Sequence, residues 1–234
     1  MSEDDDDDSH LDLFGTSSKI FSNRDILKVG YVPGIDQIIG REEQMSNVGE
    51  AVGSVTVGDA PETLLIYGKT GCGKSLVARA VTREAKKRAK SNGYNFQYTY
   101  VDCSEYRTDT KASRQIARDL KRSIDDADIR IPRSGLSAPD YRDMVWEMMH
   151  EHDIDSFITI LDEIDMLNDE NLIRSLSRAE ESGKTDGYVN LIGISNKLNY
   201  RENLDPRTDS SFRDREIVFE PYDSNRLREI LNSR

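Results

Sequence analysis

GKTGCGKS at residues 68–75 and FITILDE at residues 157–163 together decide the fold. The first has the spacing G-x-x-x-x-G-K-[ST] and follows a short apolar run, Leu64 to Tyr67. Glycines at Gly68, Gly71 and Gly73 permit the backbone angles and close approach that let successive N–H groups ring a chain of phosphates. The expected cradle is Gly68, Lys69, Thr70, Gly71, Cys72 and Gly73, continuing into Lys74, Ser75 and Leu76. Lys74 is placed to reach the β- and γ-phosphates, and the Ser75 hydroxyl to hold Mg²⁺. The second stretch is a buried-strand pattern ending on two adjacent carboxylates. Asp162 is expected to orient Mg²⁺ through its water shell, and Glu163 to polarise the attacking water. A glycine-rich turn or an acidic strand end means little alone. Both, in this order and each in strand context, read as a nucleoside triphosphate site.

Around these motifs the hydrophobic pattern alternates between strand and helix. Strands are expected at 64–67, 96–101, 157–161, 189–195 and 216–219, and helices at 41–52, 74–89, 111–124, 138–152, 170–181 and from about 224. The helix from Lys74 carries Val77, Ala78, Val81 and Ala85 on one face, and its N-terminus aims partial positive charge at the phosphates. Five strands alternating with helices predict an α/β fold, a five-stranded parallel sheet sandwiched between helices. In such a sheet ligands sit at the carboxyl ends of the strands. Asn196, which ends the run Leu191 to Ser195, is therefore expected to position the water or touch the γ-phosphate, although an Asn after a strand also serves as a plain turn residue.

A chain of 234 residues is long enough for one full α/β domain with extras. Mean hydropathy is low at −0.68, but the apolar residues cluster into the strands named above. No apolar run approaches the roughly 18 residues that span a bilayer, and the acidic N-terminus is no signal sequence, so the expectation is a cytoplasmic protein without a membrane partner. The formal charge is −12, of which Glu3, Asp4 to Asp8 and Asp12 supply −7 with no compensating base, leaving −5 for the rest. Residues 1–18 therefore read as a disordered acidic tail. The acidic balance argues against a strongly basic nucleic-acid face. Cys72 and Cys103 are expected to be reduced, since a disulfide would restrain a loop that must wrap phosphate. His150 and His152 are two apart, which suits no metal pattern on a helix.

Several stretches together resemble the AAA+ ATPases and, within them, the archaeal origin-recognition replication initiators. They are IFSNRDILKVGYVPGIDQIIGREEQ (20–44), LLIYGKTGCGKSLVARAV (64–81), YVDCSEYRTDTKASRQIARDL (100–120), ITILDEID (158–165), LIGISNKLNY (191–200) and LDPRTDSSFRDREIVFEPYDSNRLREIL (204–231). The resemblance implies binding of ATP and ADP with Mg²⁺, weak hydrolysis of ATP to ADP and phosphate, and a nucleoid-associated role in origin recognition and helicase loading. Full-length initiator homologues or a replicative helicase are the implied partners. It also implies that Tyr31, Val32, Ile39 and Arg41 line the adenine site. The helix after Tyr106-Arg107-Thr108, with Lys111, Arg114, Arg118, Lys121 and Arg122, corresponds to an insertion that approaches double-stranded DNA in relatives; a solvated helix face would look similar.

The pattern departs from the family in two places. AAA+ subunits lend an arginine to a neighbour's γ-phosphate, and the expected slot before Phe212 holds Ser211. Arg207, Arg213 and Arg215 stand near enough to substitute, with Arg207 preferred. The implied layout is an AAA+ domain over residues 19–222 and the first part of a helical lid over 223–234, with the winged-helix domain absent. That shortening opens an alternative: an interaction protein that binds ATP structurally and modulates full-length initiators without binding DNA. A P-loop kinase is disfavoured, because nothing resembles a phosphoryl-acceptor site.

Overall fold

Strand β1 (Leu64–Gly68) is buried along its whole length, and the alternation of its side chains explains how the fold is layered. Leu64 and Ile66 face one way and Leu65 and Tyr67 the other, so each pair joins a separate apolar layer. The computed structural model describes residues 31–126, 128–212 and 215–232. The chain divides into two units, Met1–Tyr31 and Val32–Arg234, and every element named below belongs to the second. The expected acidic tail over residues 1–18 lies outside the described residues.

The other strands are β2 (Phe96–Asp102), β3 (Ser156–Asp162), β4 (Tyr188–Ser195) and β5 (Arg215–Phe219). They form a parallel sheet in the order β2-β3-β4-β1-β5. All seven residues of β3 are buried, as a central strand covered on both faces requires. Helices α1 (Glu42–Gly53) and α2 (Lys74–Ser91) cover one face, packing Val48, Val52, Val77 and Ala78 against Ile66, Ile158, Ile160 and Ile192. The opposite face carries α3 (Asp109–Ile124), α4 (Ala138–Glu151) and α5 (Asn171–Ser177), with Ile116, Leu120, Val145 and Leu172 against Leu65, Phe157 and Leu161. The chain ends with the single-turn α6 (Pro206–Asp209) and α7 (Ser224–Asn232). On α3, Ile116 and Leu120 are both buried.

The helix expected over 170–181 is shorter than its pattern. It stops at Ser177, where Arg178 leaves helical geometry at φ −118° and ψ 12°; Gly183, left-handed at φ +64°, closes the next turn, and the Glu180 carboxylate accepts the Val189 N–H at 2.7 Å. Residues 178–184 therefore fold back as turns that lead into β4. The register of β2 against β3 sets Tyr100 beside Ile160 and Asp102 beside Asp162, which brings one rim of the sheet's carboxyl end together. Gly68 marks the other rim. With φ at +152° and a would-be Cβ only 2.4 Å from the Phe219 carbonyl, no larger residue fits where β1 leaves the sheet beside β5.

Candidate nucleotide site

The loop after β1 carries the first site residues. Gly71 and Gly73 sit at φ +84° and +85°, and Gly73 is the N-cap of α2. Left-handed glycines there turn the backbone so that the free N–H groups of the helix start face outward. Alongside runs a cleft of about 310 Å³ lined by Thr70, Gly71, Gly73, Lys74, Ser75, Leu76, Asp162, Glu163 and Asn196. The two motifs and the third strand end thus meet at the carboxyl ends of β1, β3 and β4. Gly68, Lys69 and Cys72 are not among the lining residues; Cys72 is buried against the α1–α2 layer.

Inside the cleft the polar groups form a chain. Lys74 Nζ donates to the carbonyls of Gly68 at 2.7 Å and Lys69 at 3.0 Å, and to Asn196 Oδ1 at 2.8 Å. Asn196 Nδ2 in turn donates to Glu163 Oε1 at 3.2 Å. Burial pushes the Lys74 ammonium below its ordinary range, and the charges of Cys72, Asp162, Glu163 and Asp165 pull it back up. Lys74 is only 5% exposed, so a charged ligand reaching it meets little competing solvent. Glu163 holds the left-handed region at φ +50°, unusual for a residue with a side chain, where the chain turns off β3 into the short 3₁₀ turn Ile164–Met166. From there its carboxylate reaches the cleft, where it accepts the Asn196 amide.

Asp162 accepts from two directions: the Glu163 N–H on Oδ1 at 3.0 Å and the Tyr100 hydroxyl on Oδ2 at 2.7 Å. Among the described residues no group of three or more His, Cys, Asp or Glu could hold a metal unaided. The donors present, one hydroxyl at Ser75 and one carboxylate at Asp162, instead fit Mg²⁺, which keeps waters and binds through one or two carboxylates plus ligand phosphates.

Two residues that pattern reasoning passed over support this rim. Asp165 accepts from the Ser195 hydroxyl at 2.8 Å and pairs with Lys197 at 3.3 Å, clasping both neighbours of Asn196 to the end of β3. Tyr100 is the other. Alternation along β2 puts its side chain next to β3, and a long side chain reaches a diagonal neighbour, so its contact with Asp162 was latent in the pairing register.

Of the four residues expected at an adenine site, none lines the phosphate cleft. Arg41 is 5% exposed; it donates from Nε to the Cys72 carbonyl at 3.0 Å and from Nη2 to the Glu220 carbonyl at 2.6 Å, and its guanidinium lies 3.9 Å over the Tyr222 ring. It braces the back of the phosphate loop against the segment leaving β5. No carboxylate pairs with it among the described residues, so its positive charge adds to the field behind the loop. Val32 and Ile39 are half-buried, and Arg83 donates to the Val32 carbonyl at 2.7 Å. Tyr31 ends the first of the two units.

The arginine candidates separate clearly. Arg215 is held by Glu62 at 2.8 Å and Glu50 at 2.7 Å. Arg213 lies outside the described residues. Arg207 is exposed and makes no ion pair among the described residues; it lines a different cleft of about 740 Å³ with Arg142, Arg174, Arg178 and Lys184. Ser211, in the expected arginine slot, meets the Ser177 hydroxyl at 2.8 Å instead. On α3, Arg114 donates to the Arg133 carbonyl and Arg122 pairs with Asp119, while Lys111, Arg118 and Lys121 form no ion pair among the described residues. No helix among the described residues is long and apolar enough to cross a membrane.

A parallel sheet with a phosphate loop after β1, paired acids at the end of β3 and an asparagine at the end of β4 defines the P-loop nucleoside triphosphatase fold. The AAA domain family model matches residues 59–198. The chain is 42% identical over 222 residues to ORC1-type DNA replication protein 2 of Halobacterium salinarum, covering 95% of this chain and 83% of that one. It is 39% identical to ORC1-type DNA replication protein 17 of Haloarcula marismortui, covering the whole of this chain and 58% of the relative. Among solved structures, the Aeropyrum pernix ORC1 protein in complex with DNA superposes with a TM-score of 0.75 at 30% identity, over 89% of this chain and 52% of that one. The chain therefore belongs to the ORC1-type DNA replication proteins, within the AAA+ ATPases.

Proposed function

We propose that this chain is an ATP-controlled switch in DNA replication initiation, binding ATP with Mg²⁺ and hydrolysing it slowly when alone. The observation that carries the reading is the relay from Lys74 through Asn196 to Glu163. It links the group that meets the phosphates to the group that handles water, so arrival of a triphosphate reorganises both. Lys74 leaves the Gly68 and Lys69 carbonyls for phosphate oxygens, which releases Asn196 Oδ1 while Asn196 Nδ2 keeps Glu163 oriented. Glu163 then accepts a proton from a water as its oxygen bonds to the γ-phosphorus and the bond from that phosphorus to the ADP oxygen breaks, giving ADP and phosphate. The Ser75 hydroxyl and the Asp162 carboxylate would hold Mg²⁺, which would neutralise charge on the phosphates.

Slow turnover follows from the charges in the cleft. Lys74 is the one cation lining it among the described residues, facing Asp162 and Glu163. Phosphoryl transfer depends on charge stabilisation, and a neighbour's arginine is worth about 10³–10⁵ in rate. Arg207, exposed and in no ion pair among the described residues, is the residue this chain would lend to a full-length initiator homologue. On DNA, Lys111, Arg118 and Lys121 on α3 would meet phosphates with strong salt dependence and little sequence preference.

The test mixes this chain, carrying Glu163→Gln so that its own site is silent, with a full-length halophilic relative. ATP hydrolysis by the relative should rise at least about tenfold, a conservative fraction of an arginine's worth, and Arg207→Ala in this chain should remove the rise. An unchanged rise with Arg207→Ala would dismiss Arg207, and no rise in either mixture would dismiss the assembly.

A further inference from the structure

We propose that Tyr100 is a positioning residue for the metal side of the nucleotide site, its hydroxyl holding the Asp162 carboxylate in the orientation that meets the shell of a divalent cation. The inference rests on the nucleotide reading above and extends it to a residue on a different strand.

Asp162 is 8% exposed, and its carboxylate can pivot about its own bond unless something fixes its plane. The Glu163 N–H holds only Oδ1, and a single hydrogen bond leaves that rotation open. The Tyr100 hydroxyl, 2.7 Å from Oδ2, closes it. With one donor on each oxygen, one lone pair per oxygen remains. Those remaining pairs suit hydrogen bonds from waters on a cation better than a bidentate grip, which agrees with an outer-shell role for Asp162.

Tyr100 is itself pinned. The Arg79 guanidinium lies 4.5 Å over its ring, and Arg79 belongs to α2, the helix that begins with Lys74 and Ser75. The sequence Arg79, Tyr100, Asp162 thus spans α2, β2 and β3. It ties the helix that presents the Ser75 hydroxyl to the strand that presents the carboxylate, keeping the two metal-side groups in fixed relation. Partners of this kind around a metal site change its affinity by 10–100-fold when removed.

The experiment titrates Mg²⁺ into the protein with a fluorescent ATP analogue, for the wild type and Tyr100→Phe, which keeps the ring and its contact with Arg79. In EDTA the two should bind the analogue equally. With Mg²⁺ added, the concentration giving half of the affinity gain should be about tenfold higher for Tyr100→Phe. Equal half-saturation in the two proteins would overturn the proposal, as would an equal loss of affinity in EDTA and in Mg²⁺, which marks a merely structural residue. Wild-type protein that binds no analogue under any condition would overturn the nucleotide reading instead.

Discussion

Replacing Lys74 with alanine is expected to abolish nucleotide binding while leaving the protein folded. The ammonium makes three hydrogen bonds, to the Gly68 and Lys69 carbonyls and to Asn196, and is the one cation lining the cleft among the described residues. Hydrogen bonds to charged partners contribute about 1.5–3 kcal/mol each. Losing two of them to phosphate oxygens corresponds to a fall in affinity of at least about 100-fold, since 1.4 kcal/mol is a factor of ten. The alanine also frees Asn196 from its anchor, so residual binding should be poorly coupled to Glu163. Calorimetric titration of ATP into both proteins checks this, with thermal unfolding as the folding control. Binding within a few-fold of the wild type would remove Lys74 from the site.

Glu163→Gln is expected to do the opposite, keeping affinity and stopping turnover. Glutamine retains an oxygen to accept the Asn196 N–H, now at 3.2 Å, and tolerates the left-handed backbone no worse than glutamate does. What disappears is the negative charge and the basicity that draw a proton from water. General-base removal costs about 10²–10⁴ in rate. Single-turnover hydrolysis measured beside equilibrium binding separates the two effects. Normal turnover in the glutamine protein would refute the role of Glu163.

How much of this was readable in the chain depends on whether the physics is local. Gly68, Gly71, Gly73, Lys74 and Ser75 announce themselves because wrapping phosphates demands those residues at that spacing, whatever surrounds them. Asp162, Glu163 and Asn196 follow from one rule, that ligands gather at the carboxyl ends of parallel strands. The sheet and most helix bounds were legible for the same reason: apolar periodicity is a local signal. The end of α5 was not, because the break at Arg178 falls inside a helical pattern, and the Glu180 contact that ties the following turns to Val189 joins residues nine apart. Arg41 was expected at an adenine site; its bonds to the Cys72 and Glu220 carbonyls join segments far apart in sequence, which no local pattern shows. Arg215, a candidate behind the preferred Arg207, is held by Glu50 and Glu62, contacts that no local pattern shows. Tyr100 and Asp165 act through contacts that only the strand register and the 3₁₀ turn after β3 create.

A crystal structure of the chain grown with a non-hydrolysable ATP analogue and Mg²⁺ tests the site most directly. The triphosphate should lie against the backbone amides from Gly71 to Ser75, with Lys74 Nζ moved from the Gly68 and Lys69 carbonyls onto its oxygens and Asp162 one water from the metal. A structure in which Lys74 stays on those two carbonyls while the analogue binds elsewhere would contradict it.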